Sequence, residues 1–160
     1  MIRLTKITLE NRRDIMDLSV SEEQKKYVAP IRACLGTAYI LETNGGSPIV
    51  FAIYDDETPI GFTLLTYGIT SYDLPEIAKS YPCYCILRFM IAEKYQRKGY
   101  GRAALAKILE YVRTFPKGPA KFCWLEYVPG NDVAKHLYRS LGFQETGEIV
   151  NGEIVTAIEL

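Results

Sequence analysis

The chain is poor in the features by which several classes of protein are recognised. It has one histidine, His136, and four cysteines, Cys34, Cys83, Cys85 and Cys123. These show neither a zinc-ligand spacing nor a Cys-x-x-Cys pair. Cys83 and Cys85 fall on one face of a strand, too few for a metal site without partners, so no metal is expected. The four cysteines read as reduced, mostly buried, small hydrophobes. No apolar run approaches the ~18 residues of a membrane span. Met1-Ile2-Arg3-Leu4-Thr5-Lys6 lacks the apolar core and cleavage site of a signal peptide, so a cytoplasmic protein with no membrane partner is expected. Nineteen basic residues balance nineteen acidic ones, which removes any bulk electrostatic case for nucleic acid. There is no internal repeat, low-complexity stretch or linker.

What remains is an ordinary globular composition, 48% apolar over 160 residues, enough for one well-packed domain over 1–160. Arg3 to Thr8 alternates as a half-buried edge strand does. Asn11 is placed to cap a helix through Ile15, Met16 and Leu18. Ser21-Glu22-Glu23-Gln24 reads as another helix start, with Gln24 closing a capping box. Pro30, then Ile31, Cys34, Leu35 and Ala38, predicts a helix to about Leu41, stopped by Asn44-Gly45-Gly46. Ile49–Tyr54 and Thr58–Gly68 read as a hairpin. Ser71 to Pro82 is a turn-rich excursion or short helix. Cys83 to Ile91 is so continuously apolar that it predicts a central strand buried on both faces. Leu105, Ile108, Leu109, Val112 and Phe115 form one stripe of a helix over Gly99–Phe115. Lys121–Val128 is strand-like. Gly130 and Asn131 open a helix carrying Ala134, Leu137, Tyr138 and Leu141, which Gly142 ends. Phe143–Ile149 and Ile154–Leu160 flank Asn151-Gly152, a strong hairpin signal. The expected class is one α+β domain with a mixed sheet.

The segment with most chemical content is Gln96-Arg97-Lys98-Gly99-Tyr100-Gly101, between the apolar run ending at Ile91 and the long amphipathic helix. Two glycines at a strand-to-helix junction allow a tight turn that gathers bare N–H groups. The first helical turn adds unpaired donors and its positive dipole end. With Arg97, Lys98 and Arg102 beside it, such a corner suits the pyrophosphate of a cofactor.

The pattern Gln-x-x-Gly-x-Gly resembles the acyl-CoA loop of the GNAT superfamily of N-acetyltransferases. A second segment, Asn131 through Ala134, Leu137 and Tyr138 to Gly142-Phe143, is similar to that family's other signature, and the element order follows the GNAT fold. The resemblance implies acetyl-CoA as co-substrate, lying in a V between splayed central strands. It implies backbone contacts along Phe89-Met90-Ile91, phosphate contacts from Gln96, Arg97, Lys98, Gly99, Tyr100, Gly101 and Arg102, and further cofactor contacts from Asn131 and Lys135. It implies that Tyr138 is the general acid beside the thioester sulfur. Cys85 and Cys123 have no histidine–carboxylate partner in the sequence for an acetyl-cysteine route.

An amine nucleophile must lose its proton, and Glu126, on the strand lining the V, is the candidate base. Where many relatives carry an aspartate after the strand, this chain has Ala92, with Glu93 adjacent. The front segment Leu18 to Val28, together with Leu87–Ile91, Tyr95–Gly101 and Tyr127–Asn131, is similar to bacterial diamine or spermidine/spermine acetyltransferases. That likeness implies a polyamine acceptor, with Glu22 and Glu23 holding a distal ammonium and Asp73 and Glu76 as a second source of charge. The alternatives are another amine (an aminoglycoside-like drug, an amino acid, a protein N-terminus or lysine) or a non-catalytic acetyl-CoA sensor. Edges left by Phe143 to Leu160 also suggest a homodimer.

Overall fold

A computed structural model describes residues 1–68 and 73–160. In chain order the elements are β1 (Ile2–Thr5), α1 (Arg12–Met16), a 3-10 turn (Glu22–Gln24), α2 (Ile31–Thr43), β2 (Ser47–Asp55), β3 (Thr58–Tyr67), α3 (Glu76–Ser80), β4 (Cys83–Ile91), a second 3-10 turn (Glu93–Tyr95), α4 (Tyr100–Val112), β5 (Phe122–Tyr127), α5 (Asp132–Ser140), β6 (Gln144–Val150) and β7 (Glu153–Glu159). All seven strands form one sheet in the order β1-β2-β3-β4-β5-β7-β6. Every pairing is antiparallel except β4 with β5. The mixed sheet expected from the sequence is therefore present, and Ser71 and Tyr72, where the turn-rich stretch begins, lie outside the described residues.

The period of two along the strands sorts side chains between two helical layers. On one face, Phe51, Tyr84, Ile86, Leu125 and Tyr127 meet Leu105, Ile108, Leu109 and Val112 of α4 and the apolar side of α5. On the other face, Ala52, Phe62, Leu64 and Met90 meet Ile15, Ile31, Cys34 and Ala38 from α1 and α2. Further along that second face, Cys85, Trp124, Val155 and Ala157 meet α3. A shift of register opposite Leu64 and Leu65 makes Leu87 a bulge in β4. The extra residue reverses the alternation. Tyr84 and Ile86 face α4 before it, and Phe89 and Ile91 do so after it.

Several local expectations change. Asn11 does not cap α1; its side chain organises the preceding turn, accepting from Thr8 N–H and donating to the Lys6 carbonyl. Ser21 and Gln24 form no capping box, because the segment closes as a 3-10 turn and the Gln24 amide points away to Gln96. Helix α4 stops at Val112, and Phe115, at φ 52°, belongs to the turn beyond it rather than to the buried stripe. The Asn151-Gly152 hairpin forms with both residues at positive φ, as its turn type requires. β7 lies inside the sheet, so of the two C-terminal strands only β6 presents an edge.

The loop between α4 and β5 is fastened by tyrosines of the central strands. The Tyr84 hydroxyl is fully buried, accepts from Lys117 N–H at 2.9 Å and donates to the Gly118 carbonyl at 3.0 Å. Tyr67 donates to the Pro119 carbonyl. These bonds set where β5 begins beside β4. Tyr84→Phe keeps the ring but strands two loop groups, and is expected to lower stability by about 1–2 kcal/mol in urea unfolding.

Candidate active site

β4 and β5 pair only over Cys83↔Phe122, Tyr84↔Cys123 and Cys85↔Trp124. Beyond that both strands continue, but not together. β4 runs on to Ile91 against β3, and β5 to Tyr127 against β7. The Ala92 N–H donates to the Ile60 carbonyl, so by alternation the backbone groups of Met90 and Arg88 face β3 while those of Phe89 and Ile91 face the gap. The open edge therefore offers Phe89 N–H and C=O and Ile91 N–H to an extended ligand, in the manner of an added strand. The geometry narrows two of the expected contacts. Met90 has its backbone on the β3 side and its side chain buried against α1 and α2, leaving it nothing toward the gap. The Ile91 carbonyl already accepts from Gln96 Nε2 at 2.8 Å.

At the far end of β4 the chain turns through Arg97 at φ 59° and Gly99 at φ 81° into α4. None of the backbone N–H groups from Arg97 to Arg102 donates to a backbone or side-chain acceptor among the described residues. Consecutive unpaired donors at a helix start, with Arg97 and Lys98 exposed beside them, fit a phosphate group. The two glycines differ. Gly99 needs its left-handed conformation, and a Cβ there would project into open space, the space a bound phosphate would take. Gly101 is helical, and a Cβ there would make an ordinary van der Waals contact with Leu137 of α5 at 3.5 Å, so packing alone does not demand glycine. The other expected contacts are already engaged. Tyr100 donates to Asp55 at 2.8 Å and Arg102 to the Ser140 carbonyl at 2.8 Å. The Lys98 ammonium donates to the Lys94 carbonyl. Lys135 is ion-paired with Glu145 at 3.0 Å, so its charge is held toward β6.

α5 begins with a side-chain cap, Asn131 Oδ1 accepting from Ala134 N–H at 3.2 Å. It carries Tyr138 onto the sheet face shared with α4. The ring lies 6.1 Å from that of Tyr127 and 6.0 Å from that of Phe143. Burial pushes its phenol up to about 12, with Glu153 adding to the shift. The hydroxyl bonds to nothing among the described residues.

Glu126 lies on β5 two residues past Trp124, the last residue paired with β4, and alternation puts it on the opposite face from Tyr138. Burial raises its carboxyl to about 7; Glu153 adds to this and Arg88 opposes it. Glu153 and Arg88 were not singled out from the sequence. The signal for Glu153 was available in the period of two, since Val155, the residue opposite Glu126, places Glu153 on the same face. Arg88 is hidden from simple counting by the bulge at Leu87. Neither glutamate forms an ion pair or hydrogen bond among the described residues. Of the acceptor-side acids, Glu22 is paired with Lys25 and Glu76 with Lys79, while Glu23 is exposed. Burial also raises the Cys83 thiol to about 11 and the Cys85 and Cys123 thiols well above their usual value, the wrong direction for a nucleophile.

A profile of the acetyltransferase (GNAT) family matches residues 9–143. The chain is 33% identical over 161 aligned positions, 99% of each chain, to the spermine/spermidine N(1)-acetyltransferase of Bacillus subtilis. Its fold matches the Vibrio cholerae spermidine N-acetyltransferase crystallised with CoA and spermine, at TM-score 0.69 and 20% identity over 99% of this chain and 95% of that one. It also matches an aminoglycoside acetyltransferase crystallised with coenzyme A and kanamycin, at TM-score 0.74 and 14% identity over the same shares. The chain belongs to the GNAT family of acetyltransferases.

Gly99→Val tests the corner. It adds a branched side chain at a positive φ and fills the space before the N–H groups. CoA affinity by calorimetry is expected to fall roughly tenfold or more. Unchanged affinity in a folded variant would remove the phosphate assignment.

Proposed function

We propose that this chain is an acetyl-CoA-dependent N-acetyltransferase acting on a primary amine of a polyamine such as spermidine or spermine, within one domain over 1–160. The observation that carries the chemistry is Glu126 standing unpaired at the mouth of the gap between β4 and β5, with its carboxyl near 7. The sequence likeness to a spermine/spermidine enzyme over the whole chain supports the acceptor.

Bound acetyl-CoA would supply a thioester carbonyl, with a thiol as leaving group. Its phosphates would meet the Arg97–Arg102 donors and its amides the Phe89 and Ile91 edge. The amine enters from the other face of the sheet, where Glu126, Glu153 and Arg88 stand. An alkyl ammonium has a pKa of ~10.4 and no lone pair. The ammonium first gives one proton to solvent, and a carboxylate near 7 accepts the second from the nitrogen as it becomes positive on bonding to the carbonyl carbon. Burial is the main cause of the rise of Glu126; Glu153 adds to it and Arg88 opposes it. Tyr138, on the α4–α5 face, is protonated at any working pH; as the C–S bond breaks it serves as general acid to the departing sulfur and is then reprotonated from solvent. Glu22 and Glu23, in the turn packed beside the end of β4, hold a distal ammonium. The exposed Glu22–Lys25 pair is worth little and yields readily to a substrate cation.

A homodimer formed through the C-terminal edge would use β6, whose ladder is interrupted between Glu145 and Ile149. Light scattering at twice 18.1 kDa would support it. Among the described residues no helix is long and apolar enough to cross a membrane.

The acceptor is tested by acetyl-CoA-dependent release of free thiol with spermine, spermidine, putrescine, an aminoglycoside, free amino acids and a lysine peptide. Turnover confined to the polyamines is expected; preferential turnover of the aminoglycoside would replace the polyamine reading. Tyr138→Phe is expected to lower kcat roughly 10²-fold with CoA affinity retained.

Glu126→Gln is expected to remove a rate limb that rises with pH through about 7. It should also stabilise the fold. A carboxyl raised from 4.5 to about 7 binds its proton more tightly folded than unfolded, so the native protein loses stability as pH rises across that window. After allowance for solvent screening, Glu126→Gln should gain about 1 kcal/mol at pH 8 and almost nothing at pH 4. Thermal melts at the two pH values check the sign.

A further inference from the structure

The turn holding Glu22 and Glu23 is joined to the phosphate corner by a contact that the chemistry above does not use. Gln24 donates from Nε2 to Gln96 Oε1 at 3.0 Å, and Gln96 Nε2 donates back to Gln24 Oε1 at 2.9 Å. The same Gln96 Nε2 gives its other hydrogen to the Ile91 carbonyl at 2.8 Å. A primary amide has two N–H donors, so both donors of Gln96 are committed and its oxygen is occupied. Nearby in both segments, Glu93 N–H donates to the Ser19 carbonyl at 2.9 Å. The front segment and the end of β4 are thus sewn together at two points, 72 positions apart in sequence for the amide pair.

This matters because the corner has little internal structure of its own. Its N–H groups from Arg97 to Arg102 make no intramolecular bonds among the described residues, and two of its residues sit at positive φ. Its shape is held from outside, by the Gln96 clamp before it and by the Tyr100–Asp55 and Arg102–Ser140 bonds after it. Of these, only the Gln96 clamp reaches the acceptor side. We infer that Gln24 is a positioning residue for the cofactor corner: acting through Gln96, it holds the turn in the shape that presents its N–H groups and makes the acceptor-side segment part of that frame. Preorganised donors bind without first being ordered. The inference rests on the reading that this corner binds the phosphates of CoA, and is independent of which amine is acetylated.

The test compares Q24M, Q96M and the double variant, since methionine keeps chain length and apolar volume while removing both amide bonds. CoA dissociation constants come from calorimetry, and kcat and the KM for acetyl-CoA from the thiol assay with whichever amine the wild type turns over. Q24M is expected to weaken CoA binding roughly fivefold, the equivalent of about 1 kcal/mol of lost hydrogen bonding. The KM for acetyl-CoA should rise in step, and kcat at saturation should stay within about twofold. In the Q96M background, adding Q24M should change affinity by less than about twofold, because the two residues act as one unit. A Q24M protein that binds CoA like wild type overturns the inference, as do effects that multiply independently in the double variant. Loss of the cooperative melting transition in Q24M would show the pair to be merely structural and also overturns it. A folded wild-type protein that binds no CoA overturns this inference together with the acetyl-CoA reading; normal CoA binding with an unaffected Q24M overturns this inference alone.

Discussion

The pairing of β4 with β5 ends after Cys85 and Trp124, and the rest of the site is a consequence of that separation. A parallel pair that continued would satisfy the Phe89 and Ile91 backbone groups within the sheet and close the gap beside Glu126. Ending it leaves backbone hydrogen bonds unmade at the centre of the molecule, where unpaired groups are costly. The sheet tolerates this because each strand keeps its other neighbour throughout, β3 for β4 and β7 for β5. The bulge at Leu87 falls just past the last shared pair, where an extra residue bends a strand and increases its twist. It also swaps which side chains face α4. Arg88 is thereby delivered to the face that carries Glu126, and Phe89 to the face that carries Tyr138.

The separation also gives the site two sides. Tyr138 approaches from the α4–α5 layer and Glu126 from the layer of α1, α2 and α3. In the proposed mechanism the hydrogen-bond donor and the base thus act from opposite faces of the sheet, meeting at the gap between β4 and β5. Their environments push both groups upward, but to different effect. A phenol near 12 is fixed in its protonated form, while a carboxyl near 7 is poised to exchange. Glu153 contributes to both shifts, which ties the C-terminal hairpin to the site although it touches no part of the cofactor corner. Holding an acid where its charge is disfavoured costs folding stability at neutral pH, the usual relation between a working site and the fold around it.

Most of this was legible in the sequence where one residue type has one physical use. The glycine of Gly99, the Asn151-Gly152 turn and the continuous apolar run of β4 each allow few structures, and each formed. The capping residues misled because Asn and Gln side chains have several partners available. Asn11 serves the turn before its helix, and Gln24 crosses to Gln96. Lys98 and Arg102 read as phosphate contacts and Lys135 as a further cofactor contact, yet charge says nothing about reach. The carbonyls of Lys94 and Ser140 and the carboxylate of Glu145 claim them. Glu153 and Arg88 were missed for a related reason. Each is ordinary in its own strand and acquires meaning only from the neighbouring strand or the bulge.

The acceptor depends on a different kind of information from the fold. An aminoglycoside enzyme matches this backbone at least as well as a spermidine enzyme does, so the fold alone does not distinguish acceptors. What differs between such acceptors is the spacing of their charges. A polyamine presents ammonium groups strung along a flexible, apolar chain, and a matching site needs carboxylates set along a path rather than gathered at one point. Here Glu126 and Glu153 stand at the gap, while Glu22 and Glu23 lie on the turn beside the end of β4. That segment is fastened to the strand end by the Ser19–Glu93 and Gln24–Gln96 bonds. The bonds that would frame the cofactor corner therefore also hold the Glu22–Glu23 turn against the end of β4, and in the proposed reading they set where the distal ammonium of a polyamine would be met.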